Sequence, residues 1–141
     1  MILYCDTSAL VKRYVREEHS DLVRRAWREA RRVATSEVAF AEAMAAVAWR
    51  WRNGDLTAKA HEKLRERISR DFLALVRVPI SADLNHRIAD LVLCYPLRGF
   101  DAIHLSSALL IREEVRGSVI FACFDNDLSS AASVAGLELL R

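Results

Sequence analysis

The stretch that most constrains this 141-residue chain is its beginning, Ile2-Leu3-Tyr4-Cys5-Asp6-Thr7-Ser8-Ala9-Leu10-Val11. Four apolar residues run into an acid, two hydroxyls and then a helical-looking Ala-Leu-Val. This order predicts a short buried β-strand ending at Asp6, with Asp6-Thr7-Ser8 turning the chain and capping the next helix. An acid just past a buried strand lies at the carboxyl edge of a sheet, where open α/β folds put their ligand sites. The other informative carboxylates are read against Asp6.

Further along, the pattern alternates strand and helix. A short helix over Ala9 to Val15 is followed by a second stripe carrying Leu22, Val23, Ala26, Trp27 and Ala30, with Ser20 as its expected cap. Val33-Ala34-Thr35 reads as a strand, and Ser36 is placed to cap the helix after it. Between Glu37 and Arg50 the only polar residue is Glu42, which shares a helical face with Val38, Ala45, Ala46 and Trp49. A lone carboxylate on an alanine-rich helix is costly unless paired or coordinated. A salt bridge would satisfy it, but a site is the stronger reading. Asn53-Gly54 ends the helix, and Asp55 or Thr57 opens another with Ala60, Leu64, Ile68 and Phe72 on one apolar stripe and charged flanks; Thr57 to Leu75 is the one region that could project as a separate arm. Leu75 to Ile80 reads as a third strand in which Pro79 marks the end or an edge position, and Ser81 caps an amphipathic helix broken at Tyr95-Pro96.

Arg98-Gly99-Phe100-Asp101-Ala102-Ile103-His104-Leu105 then opens a long apolar helix. Asp101 falls in its first turn, where free amides favour a carboxylate, so capping alone would account for it. His104, one turn on, is read as a packing residue in preference to a substrate contact. Ser118 to Phe124 is the most strand-like run, and it delivers Asp125-Asn126-Asp127 just as the first strand delivers Asp6. An Asx turn would suit Asp125, and capping is the expected role of Asp127. Gly136 to Leu140 supplies a last strand. Strands alternating with helices imply a parallel sheet, in one domain spanning 1–141.

Composition excludes several classes. Apolar residues make up 52% of the chain, yet no run approaches the roughly 20 residues of a membrane span. With no basic region leading a long apolar segment at the start, no signal peptide and a cytoplasmic location are expected. The three cysteines form no CxxC, and the four histidines form no zinc spacing, so the thiols are read as buried and reduced. A net charge of +2 does not by itself mark a nucleic-acid binder. Arginine does outnumber lysine 18 to 3, a bias that suits phosphate, although the Arg24–Arg32 and Arg65–Arg70 groups read as solvated faces.

Two strand ends thus give Asp6 and Asp125, and two helices give Glu42 and Asp101. Four acids on one rim, without His or Cys, form an oxygen-only set that selects a hard cation such as Mg²⁺ or Mn²⁺. Such ions activate water and stabilise phosphoryl transition states, which is the equipment of phosphodiester hydrolysis.

The pieces Tyr4 to Val11, Ser36-Glu37 through Glu42, Phe100 to Leu105 and Phe124-Asp125-Asn126-Asp127-Leu128 together resemble the PIN domain, specifically the VapC-type toxin ribonucleases of type II toxin–antitoxin modules. The resemblance runs from end to end of the chain. It implies a three-layer fold with a central five-stranded parallel sheet flanked by helices. It also implies Asp6, Glu42, Asp101 and Asp125 as catalytic, metal-binding acids, with Ser8 and Asp127 in support, homodimers, an RNA substrate and a cognate antitoxin that occludes the site. Family members often carry Thr or Ser where this chain has Cys123, which puts a hydrogen bond near Asp125 in question. A haloacid-dehalogenase phosphatase would need a second Asp where Ser8 stands. A PIN-type nuclease of RNA processing or DNA metabolism, or a non-catalytic RNA-binding module on the same fold, is the alternative.

Overall fold

The computed structural model describes residues 1–141. In chain order the elements are β1 (Ile2–Cys5), α1 (Thr7–Tyr14), α2 (Ser20–Glu29), β2 (Arg32–Ser36), α3 (Ala39–Arg52) and α4 (Ala58–Phe72). They continue with β3 (Val76–Val78), α5 (Ala82–Cys94), α6 (Gly99–Glu114), β4 (Val119–Ala122), α7 (Asn126–Val134) and β5 (Glu138–Leu139). All five strands are parallel, in the order β3-β2-β1-β4-β5. The expected helix-flanked five-stranded parallel sheet is therefore present.

The central strand is apolar on both faces because both faces are covered. Leu3 and Cys5 pack into a core with Leu10, Val23, Ala43, Val47 and Ile68, which come from α1, α2, α3 and α4. Tyr4, one residue out of phase, enters a second core with Phe121, Leu84, Leu105 and Leu128, the last three from α5, α6 and α7. Leu3 and Phe121 are fully buried, and each contributes about 2 kcal/mol of transfer free energy. The chain steps from β1 to β2 to β3 with its helices on one face, then crosses to β4 and β5 with its helices on the other. A constant crossover handedness requires that change of face when the direction of travel reverses.

Several local expectations hold. Thr57 Oγ1 accepts from the Ala60 amide and Ser81 Oγ from that of Leu84, and β3 stops before Pro79. Three need correction. Ser36 ends β2 and does not cap α3, whose cap position is Val38 without a side-chain cap bond; Ser36 Oγ accepts only from Val38 N at 3.3 Å. Ser20 is the first residue of α2 and not its cap; the cap position is His19, in the left-handed region at φ 67°, while Ser20 Oγ ties the loop through Val15 O and Glu17 N. The segment after Thr57 is not an arm either, because Ile68 and Phe72 of α4 are buried against the α1 side of the sheet. No helix is long and apolar enough to cross a membrane.

β1 and β4 are neighbours, but their connections leave in opposite directions, to β2 on one side and β5 on the other. The two loops diverge and leave a crevice at the carboxyl edge, the topological switch point where open sheets bind ligands. Asp6 and Asp125 stand on its two sides.

Candidate active site

One open cleft of about 700 Å³ lies at this switch point, and Asp6, Glu42, Asp101, Asp125 and Asp127 all line it. Four different elements thus deliver the acids to one place.

Asp6 comes directly after β1, with its amide bonded to Ala122 O of β4 at 3.1 Å. Its Oδ1 accepts from the Ala9 amide at 2.8 Å and from Ser8 Oγ at 2.9 Å, which caps α1 and fixes the carboxylate. Oδ2 carries no hydrogen bond from the protein. Asp125 repeats the arrangement after β4, its Oδ1 accepting from Leu128 N at 2.9 Å as the cap of α7. Local sequence assigns that capping role to Asp127, and the structure reverses it. Asp127 sits one residue inside the helix, exposed and without a hydrogen bond, because the capping amide lies three residues after the residue that caps it. Phe124, which leads into Asp125, is held between the ring of His19 at 4.6 Å and the ammonium of Lys12 at 5.2 Å.

Glu42 enters from the first turn of α3. Thr7 Oγ1 donates to its Oε1 at 2.6 Å, and His104 Nε2 lies 3.2 Å from the same oxygen. His104 is 2% exposed and also bonds Tyr4 Oη through Nδ1 at 3.0 Å and Thr7 Oγ1 through Nε2 at 3.1 Å. Since Thr7 gives its proton to Glu42, the Nε2–H tautomer satisfies every contact: Nε2 donates toward Thr7 and Glu42, and Nδ1 accepts from Tyr4. His104 is thus not merely a packing residue. It orients Glu42, and with Thr7 and Tyr4 it forms a buried relay that sequence reasoning misses. Its place one turn after Asp101 is the available signal; its partners Tyr4 and Thr7 lie nearly a hundred residues away in sequence.

Asp101, in the first turn of α6, makes no hydrogen bond to the protein. Each of the four acids therefore presents at least one oxygen free of protein hydrogen bonds.

The electrostatics separate Asp6 and Asp101 from Glu42. Burial pushes the Asp6 carboxyl above its ordinary range, against the Ala9 amide, His104 and Ser8, and the charge of Asp101 adds to the rise. Asp101 is also raised, first by partial burial and then by Asp125 and Glu42, with His104 and Arg98 opposing. Burial would raise Glu42 too, but the hydrogen bonds of His104 and Thr7 outweigh it and hold the carboxyl below its ordinary value. Cys123 pairs with Ser129 Oγ of α7 at 3.1 Å and makes no hydrogen bond to Asp125. Burial pushes its thiol up to about 12, which keeps it protonated and inert.

In donor chemistry the set fits a hard divalent cation: oxygen only, from four elements, with free oxygens facing one cleft. The acids share the cleft without closing on one point, and no three His, Cys, Asp or Glu side chains are grouped tightly enough to grip an ion.

An acid-lined crevice at the switch point of an open parallel sheet defines an α/β protein built to act on a ligand at its strand ends. The sequence model of the PIN domain matches residues 3–134. The chain is also 34% identical over 139 residues to Ribonuclease VapC45 of Mycobacterium tuberculosis (strain CDC 1551 / Oshkosh), covering 98% of this chain and 94% of the relative. The chain belongs to the PIN domain family, among its VapC-type members. Two solved structures share the fold. One is a chain of a toxin–antitoxin complex from Klebsiella pneumoniae, with a TM-score of 0.67 at 20% identity, covering 92% of this chain and 91% of that one. The other is VapC20 of Mycobacterium tuberculosis, described as a sarcin-ricin-loop-cleaving toxin, with a TM-score of 0.65 at 16% identity, covering 96% and 95%.

Proposed function

We propose that this protein is a metal-dependent endoribonuclease acting as the toxin of a type II toxin–antitoxin pair. The observation that carries the reading is the four carboxylates, each with a free oxygen, on one cleft at the β1/β4 switch point. The kinship to Ribonuclease VapC45 supports RNA as the substrate, and the fold shared with a toxin–antitoxin complex supports a cognate antitoxin as partner. A homodimer and a cytoplasmic location complete the proposal.

Asp6, Glu42, Asp101 and Asp125 would hold Mg²⁺, with Mn²⁺ as the substitute. Such an ion supplies an activated water and neutralises charge on the phosphate. The protein's own contribution is positional. Asp6 and Asp125 are fixed by the helices they cap, so their free oxygens keep one direction. Thr7 and His104 orient Glu42 and favour its ionised form. Raised affinity of Asp6 and Asp101 for protons means that the site gains most from a cation where both are ionised. Ser8 supports Asp6, and Asp127 contributes charge at the rim.

Incubating the purified protein with structured RNAs in Mg²⁺, and again in EDTA, tests the reading. Cleavage is expected with the metal and none in EDTA; full activity in EDTA would overturn it.

A further inference from the structure

We infer that Phe100 and Arg98 form a subsite for single-stranded RNA on the rim of the cleft, Phe100 stacking a nucleobase and Arg98 receiving a neighbouring phosphate. This rests on the ribonuclease reading above.

The charge on the cleft wall poses the problem. Six carboxylates line it, against only two guanidiniums, Arg50 and Arg98. A polyanion entering it meets net repulsion, so the cations at its edge decide whether RNA can dock. Arg50 is committed, because it is paired with Glu17, which also takes Lys12. Arg98 makes no ion pair and no side-chain hydrogen bond. It is the one uncommitted cation of the wall.

Phe100 is unexplained by the fold. Leu105, Ala108 and Ile111 of the same helix are buried in the α5–α7 core, whereas Phe100 is 55% exposed and packs against no other aromatic ring. It nonetheless lines the cleft, in the residue just before Asp101. An exposed ring beside carboxylates gains nothing from water, but it offers a π-face to a base. A base stacked there would lie on the cleft that Asp101, the next residue of the chain, also lines. Between the two residues, Gly99 leaves the surface open: a Cβ at that position would meet nothing within 4 Å. Bases in a duplex already stack on each other, so such a platform favours loops and single strands.

The test uses fluorescence anisotropy with a labelled oligoadenylate, free and annealed to its oligouridylate complement, in Mg²⁺. Binding is measured in an Asp101→Asn background, alone and with Phe100→Leu, Phe100→Trp or Arg98→Gln. Wild-type cleavage of RNA is measured alongside. Phe100→Leu is expected to weaken single-strand binding roughly 5- to 100-fold and to leave duplex binding unchanged, while Phe100→Trp restores it. Arg98→Gln should lower the slope of log K against log salt by about 0.7, one phosphate's worth, and Phe100→Leu should leave that slope alone. Equal binding by Phe100→Leu and its parent, or failure of Phe100→Trp to restore binding, would overturn the stacking assignment even if wild type cleaves RNA. A changed elution volume on gel filtration for Phe100→Leu would place the ring between copies of the chain, and would overturn it too. Absence of wild-type cleavage with the single-strand preference intact would sink the nuclease reading and leave the subsite standing.

Discussion

Asp6 carries two opposed contributions that substitution can separate. One oxygen caps α1 through the Ala9 amide, which stabilises the fold. The charge, 5% exposed and near Asp101, is held above its ordinary pKa by burial first and repulsion second, which destabilises it. Asp6→Asn keeps an oxygen for the cap and removes the charge; Asp6→Ala removes both. Asn and Asp cap equally well, and Ala loses about 1 kcal/mol. The two variants should therefore differ by about 3 °C in melting temperature for a chain of this size. In EDTA at neutral pH, Asp6→Asn should melt above wild type.

The pH dependence is set by the direction of the shift. With a folded pKa above the unfolded one, the native state binds the proton first as pH falls. Wild type therefore gains stability through the window between the raised value and the ordinary carboxyl range. The advantage of Asp6→Asn should shrink across that window and close below it. Mg²⁺ should reverse the order, since wild type gains about 2.7 kcal/mol at a hundredfold excess over Kd and the variant gains much less. Melts monitored by circular dichroism, in EDTA and in Mg²⁺ across pH, decide the matter. A variant less stable than wild type in EDTA, or an advantage independent of pH, would refute the balance of cap and charge.

Asp101→Asn and Glu42→Gln should each abolish RNA cleavage while Asp127→Asn retains most of it, because Asp127 neither caps α7 nor accepts a hydrogen bond; cleavage rates at saturating Mg²⁺ compare them. Thr7→Val removes a donor from Glu42, costs about 2 kcal/mol of stability as a lost charge-assisted bond, and leaves burial opposed by His104 alone. The Glu42 carboxyl should then titrate at higher pH, followed by NMR of its side-chain carboxyl carbon, and an unmoved titration would show that Thr7 does not tune Glu42. Phe121→Ala empties the centre of the α5–α7 core where Phe121 stacks on Tyr4; a loss of about 3–5 kcal/mol is expected in a denaturant melt, on the order of 10 °C.

The sequence by itself determined the sheet class, the strand ends and the acids just past them. Buried parallel strands are written as short apolar runs, and an acid plus hydroxyls after such a run carries a local signature of turn and cap. Glu42 was legible for the opposite reason, being the one polar residue on an apolar helix. What only the tertiary structure decided was pairing. Asp125 and Asp127 are both plausible caps in sequence, and the choice between them depends on where the β4 backbone leaves the sheet. His104 reads as an apolar-helix histidine until β1 brings Tyr4 and Thr7 against it across nearly a hundred residues. The segment after Thr57 carries Ile68 and Phe72 on an apolar stripe that marks a face to be buried, but which surface covers it, the one formed with α1 and α3, only the tertiary structure decides. Hydrogen bonds and burial between distant elements depend on three-dimensional proximity, which periodicity along one segment does not record.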